Sequence, residues 1–205
     1  MYIPKFFKVE DIEIAKSFIQ ENSFGILINQ VDGKPFATHI PLVIETKSKN
    51  KSVLFGHIVK ANNQWKAFHE DQEVLVIFQG PHAYVSSSWY DDENVPTWNY
   101  AAVNVYGKIK IVDNETVYKH LSKLVDKYEM GNENPVRVSS MSASMLEKQM
   151  NAIVGFEIHI TEIQAAEKLS QNRDEKNYNN IIVELEKKGD VNSLKVAAAM
   201  KNLKQ

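Results

Sequence analysis

With 205 residues, 43% hydrophobic and 24% charged, the chain has the composition of one large globular domain, or one domain with an appendage, and not of a disordered segment. Its 24 basic and 26 acidic side chains leave a formal charge of −2, which excludes a global field that would draw in nucleic acid or an anionic membrane. The absence of cysteine removes disulfides, thiolate metal sites, iron–sulfur clusters and a cysteine nucleophile, and fits a reducing cytoplasm.

The opening MYIPKFFKVEDIEIAKSF carries charges throughout, unlike a signal peptide, and no later window reaches the ~18 apolar residues of a membrane span, so a cytoplasmic protein with no membrane partner is expected. Residues 11–22 predict an amphipathic helix with Ile12, Ala15, Phe18 and Ile19 on one stripe. FGILINQ at 24–30 and PFATHIPLVIE at 35–45 predict two strands joined by the Asp32-Gly33 hairpin signal. Alternation puts Phe36, Thr38, Ile40 and Leu42 on one face and Ala37, His39, Pro41 and Val43 on the other. Pro41 cannot donate to a ladder, so His39 sits beside an edge, a bulge or a ligand approach.

KSKNKS at 47–52 reads as a solvated loop and VLFGHIV at 53–59 as a third strand. KANNQWKAFHED then predicts a helix starting near Asn62 or Asn63. That Asn is either a simple cap or, with Lys60 beside it, part of an anion site on the free backbone N–H groups. EVLVIF at 73–78 is a buried strand broken by Gly80-Pro81. The aromatic stretch at 79–108 follows, with two of three tryptophans and four of eight tyrosines. Such rings with polar tips suit either a rigid cap or the wall of a flat-ligand site. Its second half alternates as a half-buried strand with Val103, Val105, Gly107, Ile109 and Ile111 facing one way.

Residues 114–130 and 143–150 predict helices, 152–163 a strand, and 174–188 and 191–203 two helices separated by a Gly189 cap and the Asp190 N-cap. That last pair superficially suggests a helix-turn-helix. Its mixed charge, with Lys195, Lys201 and Lys204 alone basic in the second member, instead favours docking or dimerisation. Six histidines, at 39, 57, 69, 82, 120 and 159, are too dispersed for a zinc motif, so no metal is expected. Ser86, Ser87 and Ser88 lack a nucleophile-elbow context. The sum is α+β, mainly β with peripheral helices: about six antiparallel strands closing a small barrel.

MYIPKFF, ATHIPL, GHIVKANNQW, FQGPHAYVSSSWY, VPTWNYAAVNVYG, IVGFEIHIT and KLSQNR together resemble the PaiB family of FMN-binding negative transcriptional regulators over nearly the whole chain. The resemblance implies an FMN-binding split β-barrel of six-stranded, Greek-key-like form over residues 1–165, with a C-terminal helical extension at 166–205, and a homodimer with flavin at the subunit interface. It implies flavin contacts from Thr38, His39, Ile40, His57, Lys60 and Asn62, from Trp98, Asn99 and Tyr100, and from the donor set Lys168, Ser170, Gln171 and Arg173, which suits phosphate, substrate or a cross-subunit contact. Asn63, Lys66, Ser87 and Asn104 depart from the family pattern of Pro, Arg, Pro and His, and Lys66 lacks the bidentate geometry of Arg. The function implied is flavin-linked transcriptional regulation. The alternatives are an FMN-dependent oxidoreductase and a haem-binding split barrel.

Overall fold

The Asp32-Gly33 turn sets the register of the first hairpin. Both residues take left-handed backbone, φ 51° and 75°, as a two-residue type I′ turn requires. They join β2 (Phe24–Val31) to β3 (Lys34–Pro41), with Val31 opposite Lys34 and Phe24 opposite Pro41. The computed structural model describes residues 1–48, 51–70 and 72–203.

The other strands are β1 (Lys8–Val9), β4 (Val43–Ser48), β5 (Lys51–Val59), β6 (Glu73–Val85), β7 (Thr97–Ile111) and β8 (Ile153–Lys168). The helices are α1 (Ile12–Glu21), α2 (Asn114–Glu129), α3 (Ala143–Asn151), α4 (Glu175–Lys188) and α5 (Val191–Asn202). The strands pair in the order β3-β2-β6-β7-β8-β5-β4, with β1 on β8. This is a mainly antiparallel sheet of eight strands rather than six, and the expected closure of the barrel is corrected: the path ends at β3 and β4 and is not closed.

The split falls at Pro41. The expected single strand over 35–45 is two strands, because a residue without an N–H ends β3 and the Leu42 amide turns to the Ser23 carbonyl at 2.9 Å. Lys47, Ser48, Lys51 and Ser52, expected in a loop, belong to β4 and β5, while residues 49 and 50 of that reading lie outside the described residues. The helix expected from 62 onward is a single 3-10 segment, Asn63–Ala67. It ends because Phe68 returns to extended backbone and is buried edge-on against Phe156, ring centroids 5.3 Å apart. Residue 71, in the same reading, lies outside the described residues.

The chain divides into two compact units: residues 1–18, 78–104 and 164–205 in one, and 19–77 and 105–163 in the other. In the first, Val85 and Tyr90 pack with Leu169, Tyr178, Ile181, Leu185, Val196 and Met200. The helical turn that makes this possible follows the sequence signals. Gly189 takes φ 71° at the end of α4, and the Asp190 carboxylate accepts from the Ser193 amide at 3.0 Å to start α5. Each large apolar side chain buried here stabilises by about 1.5–3 kcal/mol.

In the second unit Leu27, Leu42, Leu54, Val76, Val105, Ile109, Phe156 and Ile158 form the core. Gly107 lets β7 and β8 approach closely, since a Cβ there would lie 2.5 Å from the His159 carbonyl oxygen. On α1, Ala15 and Ile19 are buried as the stripe predicts, but Ile12 is 46% exposed. Among the described residues no helix is long and apolar enough to cross a membrane.

Candidate functional site

In the second unit the predicted residues gather where β3 meets the 3-10 segment. Thr38 and Ile40 share one face of β3 and His39 the other, so Ile40 lies in the core while His39 is exposed and stacks on Phe24, centroids 6.3 Å apart. The Thr38 hydroxyl accepts from Asn62 Nδ2 at 2.9 Å and donates to Gln64 Oε1. Asn62 caps the 3-10 segment, its Oδ1 accepting from the Gln64 amide at 3.0 Å.

Gln64 is the hub of this network and was not singled out by the sequence. Fully buried, it donates from Nε2 to Asn29 Oδ1 at 2.8 Å and to the Leu27 carbonyl at 3.2 Å. The signal available was a polar residue inside the GHIVKANNQW motif two places after a capping Asn, which does not by itself reveal burial. Lys60 is exposed, its amide bound to the Ala152 carbonyl and its carbonyl accepting from Trp65 Nε1 at 3.0 Å.

His57 stands apart from the Thr38–Asn62 pair by its surroundings. It lines a small pocket with Phe55, Val117, His120, Leu124 and Gly155. Burial lowers the pKa of His57 from its ordinary value. Burial likewise lowers that of His120, partly opposed by Glu45, whose Oε1 is 3.8 Å from His120 Nδ1. That Nδ1 is buried with no hydrogen-bond partner.

In the first unit the TWNY and KLSQNR motifs meet. Lys168 Nζ donates to the Thr97 hydroxyl, and the Ser170 hydroxyl donates to Asn99 Oδ1 at 3.0 Å, with Ser170 and Asn99 buried. Asn99 also donates to Met200 Sδ at 3.5 Å. Gln171 is used at both ends, accepting from the Leu169 amide at 2.7 Å and donating to the Glu167 carbonyl at 2.5 Å. Arg173 donates to Asn94 Oδ1 at 3.1 Å and lies over the Tyr90 ring at 4.8 Å.

Trp98 and Tyr100 project from the opposite face of β7 to Asn99. Trp98 is 54% exposed and packs against His82 and Tyr84, with centroids 6.1 and 5.9 Å away. The three serines at 86–88 start a short 3-10 turn in which the Ser86 hydroxyl accepts from the Ser88 amide at 3.3 Å. His82 Nδ1 lies 3.3 Å from Gln79 Nε2. Among the described residues no group of three or more His, Asp or Glu side chains could hold a metal ion.

Solved structures with this fold include an FAD- and haem-binding protein from Mycobacterium smegmatis (TM-score 0.62, 14% identity, 84% of this chain and 78% of that one). A second is the flavocytochrome Anf3 from Azotobacter vinelandii (TM-score 0.63, 17% identity, 87% and 78%). At these identities they show the split-barrel fold alone. "Protease synthase and sporulation protein PAI 2" of Bacillus subtilis is 46% identical over 202 residues, covering 98% of this chain and 97% of that protein. The family described as "Putative FMN-binding domain" matches residues 1–162. The chain therefore belongs to this family, in its PaiB-type branch, and FMN is the cofactor that membership assigns.

Proposed function

We propose that the protein binds FMN through the Thr38–Asn62 region and couples flavin state to gene regulation without itself gripping DNA, as a homodimer in the cytoplasm. The observation that carries the cofactor reading is the open valence left in that pair. Thr38 Oγ1 donates once and accepts once, which leaves one lone pair, and Asn62 Nδ2 keeps one N–H. Beside them in sequence stand the exposed His39 and Lys60. A hydroxylated chain ending in phosphate fits this donor set, with Lys60 supplying charge to the phosphate and Thr38 and Asn62 meeting hydroxyls.

When bound, the flavin supplies hydride or electron acceptance, and the chain's own residues supply binding and orientation. An indirect regulatory route is favoured by the charge pairing on α4 and α5. Lys187, Lys188 and Lys201 pair with Glu184, Asp190 and Glu186 at 2.5, 3.5 and 2.5 Å. Lys204 of the sequence reading lies outside the described residues.

Titrating the purified protein with FMN tests the cofactor reading. A spectrum and fluorescence unchanged by FMN would sink it. A DNA mobility-shift assay at low salt tests the indirect route, because the phosphate contribution is largest there, and strong binding would overturn it. Anaerobic mixing of the FMN-loaded protein with NADH or NADPH decides between sensor and reductase, since rapid flavin bleaching would establish the oxidoreductase alternative.

A further inference from the structure

The end of β8 and the turn after it hold two cations, Lys168 and Arg173, that pair with no carboxylate among the described residues. Lys168 is anchored to the Thr97 hydroxyl and Arg173 to Asn94 Oδ1, so both hang on one short segment of four residues leading into β7. The turn between them is tightly defined. The Arg173 amide donates to the Ser170 carbonyl at 3.0 Å, Ser170 adopts φ 63°, and its hydroxyl is tied to the buried Asn99. The Tyr90 ring lies 4.8 Å from the guanidinium carbon, within cation–π range.

No ion pair among the described residues includes Lys168 or Arg173. Within the same unit two neighbouring carboxylates, Asp91 and Asp174, are committed elsewhere. Asp91 pairs with Lys176 at 2.6 Å, and Asp174 caps α4 by accepting from the Asn177 amide at 3.0 Å. Glu167 lines a separate cavity with Val9, Ala15 and Phe18, and burial raises the pKa of its carboxyl. Burial, and after it the charge of Arg173, lowers the pKa of the Lys168 ammonium. Two half-buried cations without a counter-charge disfavour each other, and an anion placed between them offsets that repulsion with two attractions.

We propose that Lys168 and Arg173, with the Thr97 hydroxyl, bind the phosphate group of a small ligand other than the flavin. The donor count suits a phosphate. Lys168 has two N–H groups left after Thr97, the Thr97 hydroxyl can still donate, and Arg173 has spent one of its five donors on Asn94. A guanidinium matches phosphate oxygens in bidentate fashion, and an ammonium adds a point charge. Ser170, Gln171 and Asn99 are consumed by the turn and act as positioning residues.

The test uses the full chain and inorganic phosphate as probe, followed by calorimetry and by backbone amide shifts, with FMN affinity measured in parallel. Phosphate is expected to bind and to shift the amides of Thr97, Leu169 and Arg173. Lys168→Met and Arg173→Gln should each weaken phosphate by about tenfold or more, as loss of a hydrogen bond to a charged group implies. Lys168→Arg should retain most of the binding, and FMN affinity should be the same with or without phosphate.

No binding at about 10 mM phosphate overturns the proposal, that being weaker than any useful site. So do shifts confined to other residues, an outcome read on the wild-type protein and therefore independent of how the variants fold. Competition between phosphate and FMN, with both substitutions weakening FMN, would make this the flavin's own phosphate site and overturn the claim of a second ligand. A failure of FMN to bind while phosphate still shifts Thr97 and Arg173 would remove the flavin reading and leave this one standing.

Discussion

Gln64 Nε2 donates to Asn29 Oδ1 across 2.8 Å with both side chains buried, and this contact fixes the 3-10 segment against the β2–β3 hairpin. Gln64→Leu keeps the volume but removes every partner at once. Asn29 loses a donor and Thr38 an acceptor, and the Leu27 carbonyl loses its side-chain contact. Each buried polar group left unsatisfied costs about 1–3 kcal/mol, so a loss of about 2–4 kcal/mol is expected in urea denaturation. Lys66→Ala, one turn away and exposed, should stay within about 0.5 kcal/mol of wild type. FMN affinity of Gln64→Leu should fall as well, since Thr38 and Asn62 lose the residue that orients them.

Two glycines should respond differently to the same methyl group. At Gly155 an added Cβ would sit 2.2 Å from Val117 Cγ2, a side-chain atom on α2, whereas at Gly107 it would sit 2.5 Å from the His159 carbonyl oxygen, which belongs to the ladder of β8. A side chain can yield, but a paired strand cannot without losing its register. Gly155→Ala should cost about 1–3 kcal/mol as ordinary overpacking, and Gly107→Ala more. Adding Val117→Ala should recover part of the loss at 155 and none of the loss at 107, a coupling that a double-mutant cycle by thermal denaturation measures directly.

What the sequence made legible was local. The Asp32-Gly33 turn, the alternation of Val103 through Ile109, and the Gly189-Asp190 junction each carry their geometry in a few adjacent residues, and each forms as read. What escaped depends on partners far along the chain. Nothing near Gln64 reveals that Asn29, 35 positions earlier, would accept its proton, and nothing near Ser170 reveals Asn99, 71 positions away. β4 as a separate strand and the open path escaped for the same reason: Pro41 announces a break, but only the pairing of β3 with β2 and of β4 with β5 turns that break into the two ends of the sheet. Of the candidate site, the residue types were legible and their internal commitments were not. Gln171 reads as a donor to a ligand yet closes its own turn.

Stability should fall on mild acidification. Burial lowers the folded-state pKa of His57, and burial, opposed by Glu45, lowers that of His120, from the ordinary value of 6.5. The unfolded chain therefore binds more protons between the lowered values and 6.5, so this contribution is fully present above 6.5 and is lost as pH falls below it. Glu45 and Glu157 favour the charged form of His120, while Lys47 and Lys123 oppose it, so its neutral form rests first on burial, as that of His57 does. Urea midpoints at pH 7.5 and at pH 5.5 should differ in the wild type, and His57→Gln and His120→Gln should each reduce the difference. Equal slopes in all three proteins would show that neither imidazole is held neutral by the fold.

Ser170 combines a left-handed backbone, φ 63°, with a hydroxyl bound to the fully buried Asn99, and two substitutions separate these. Ser170→Ala keeps the Cβ and its strain while leaving the Asn99 carbonyl without its donor, a loss of about 1–3 kcal/mol. Ser170→Gly suffers the same loss but removes the ~1–2 kcal/mol that a side chain costs in this region. Glycine in turn frees the unfolded chain, which takes back about 0.5–1 kcal/mol. The glycine variant should therefore be the more stable of the two by about 0.5–1 kcal/mol in equilibrium denaturation, with both below wild type. A glycine variant equal to wild type would mean that strain relief offsets the whole hydrogen bond, and an alanine variant above the glycine one would mean that the positive φ costs nothing here. The phosphate site at Lys168 and Arg173 supplies the functional readout: if the turn at Ser170 aims those two cations, both variants should bind phosphate more weakly than wild type, the looser glycine chain no better than alanine despite its greater stability.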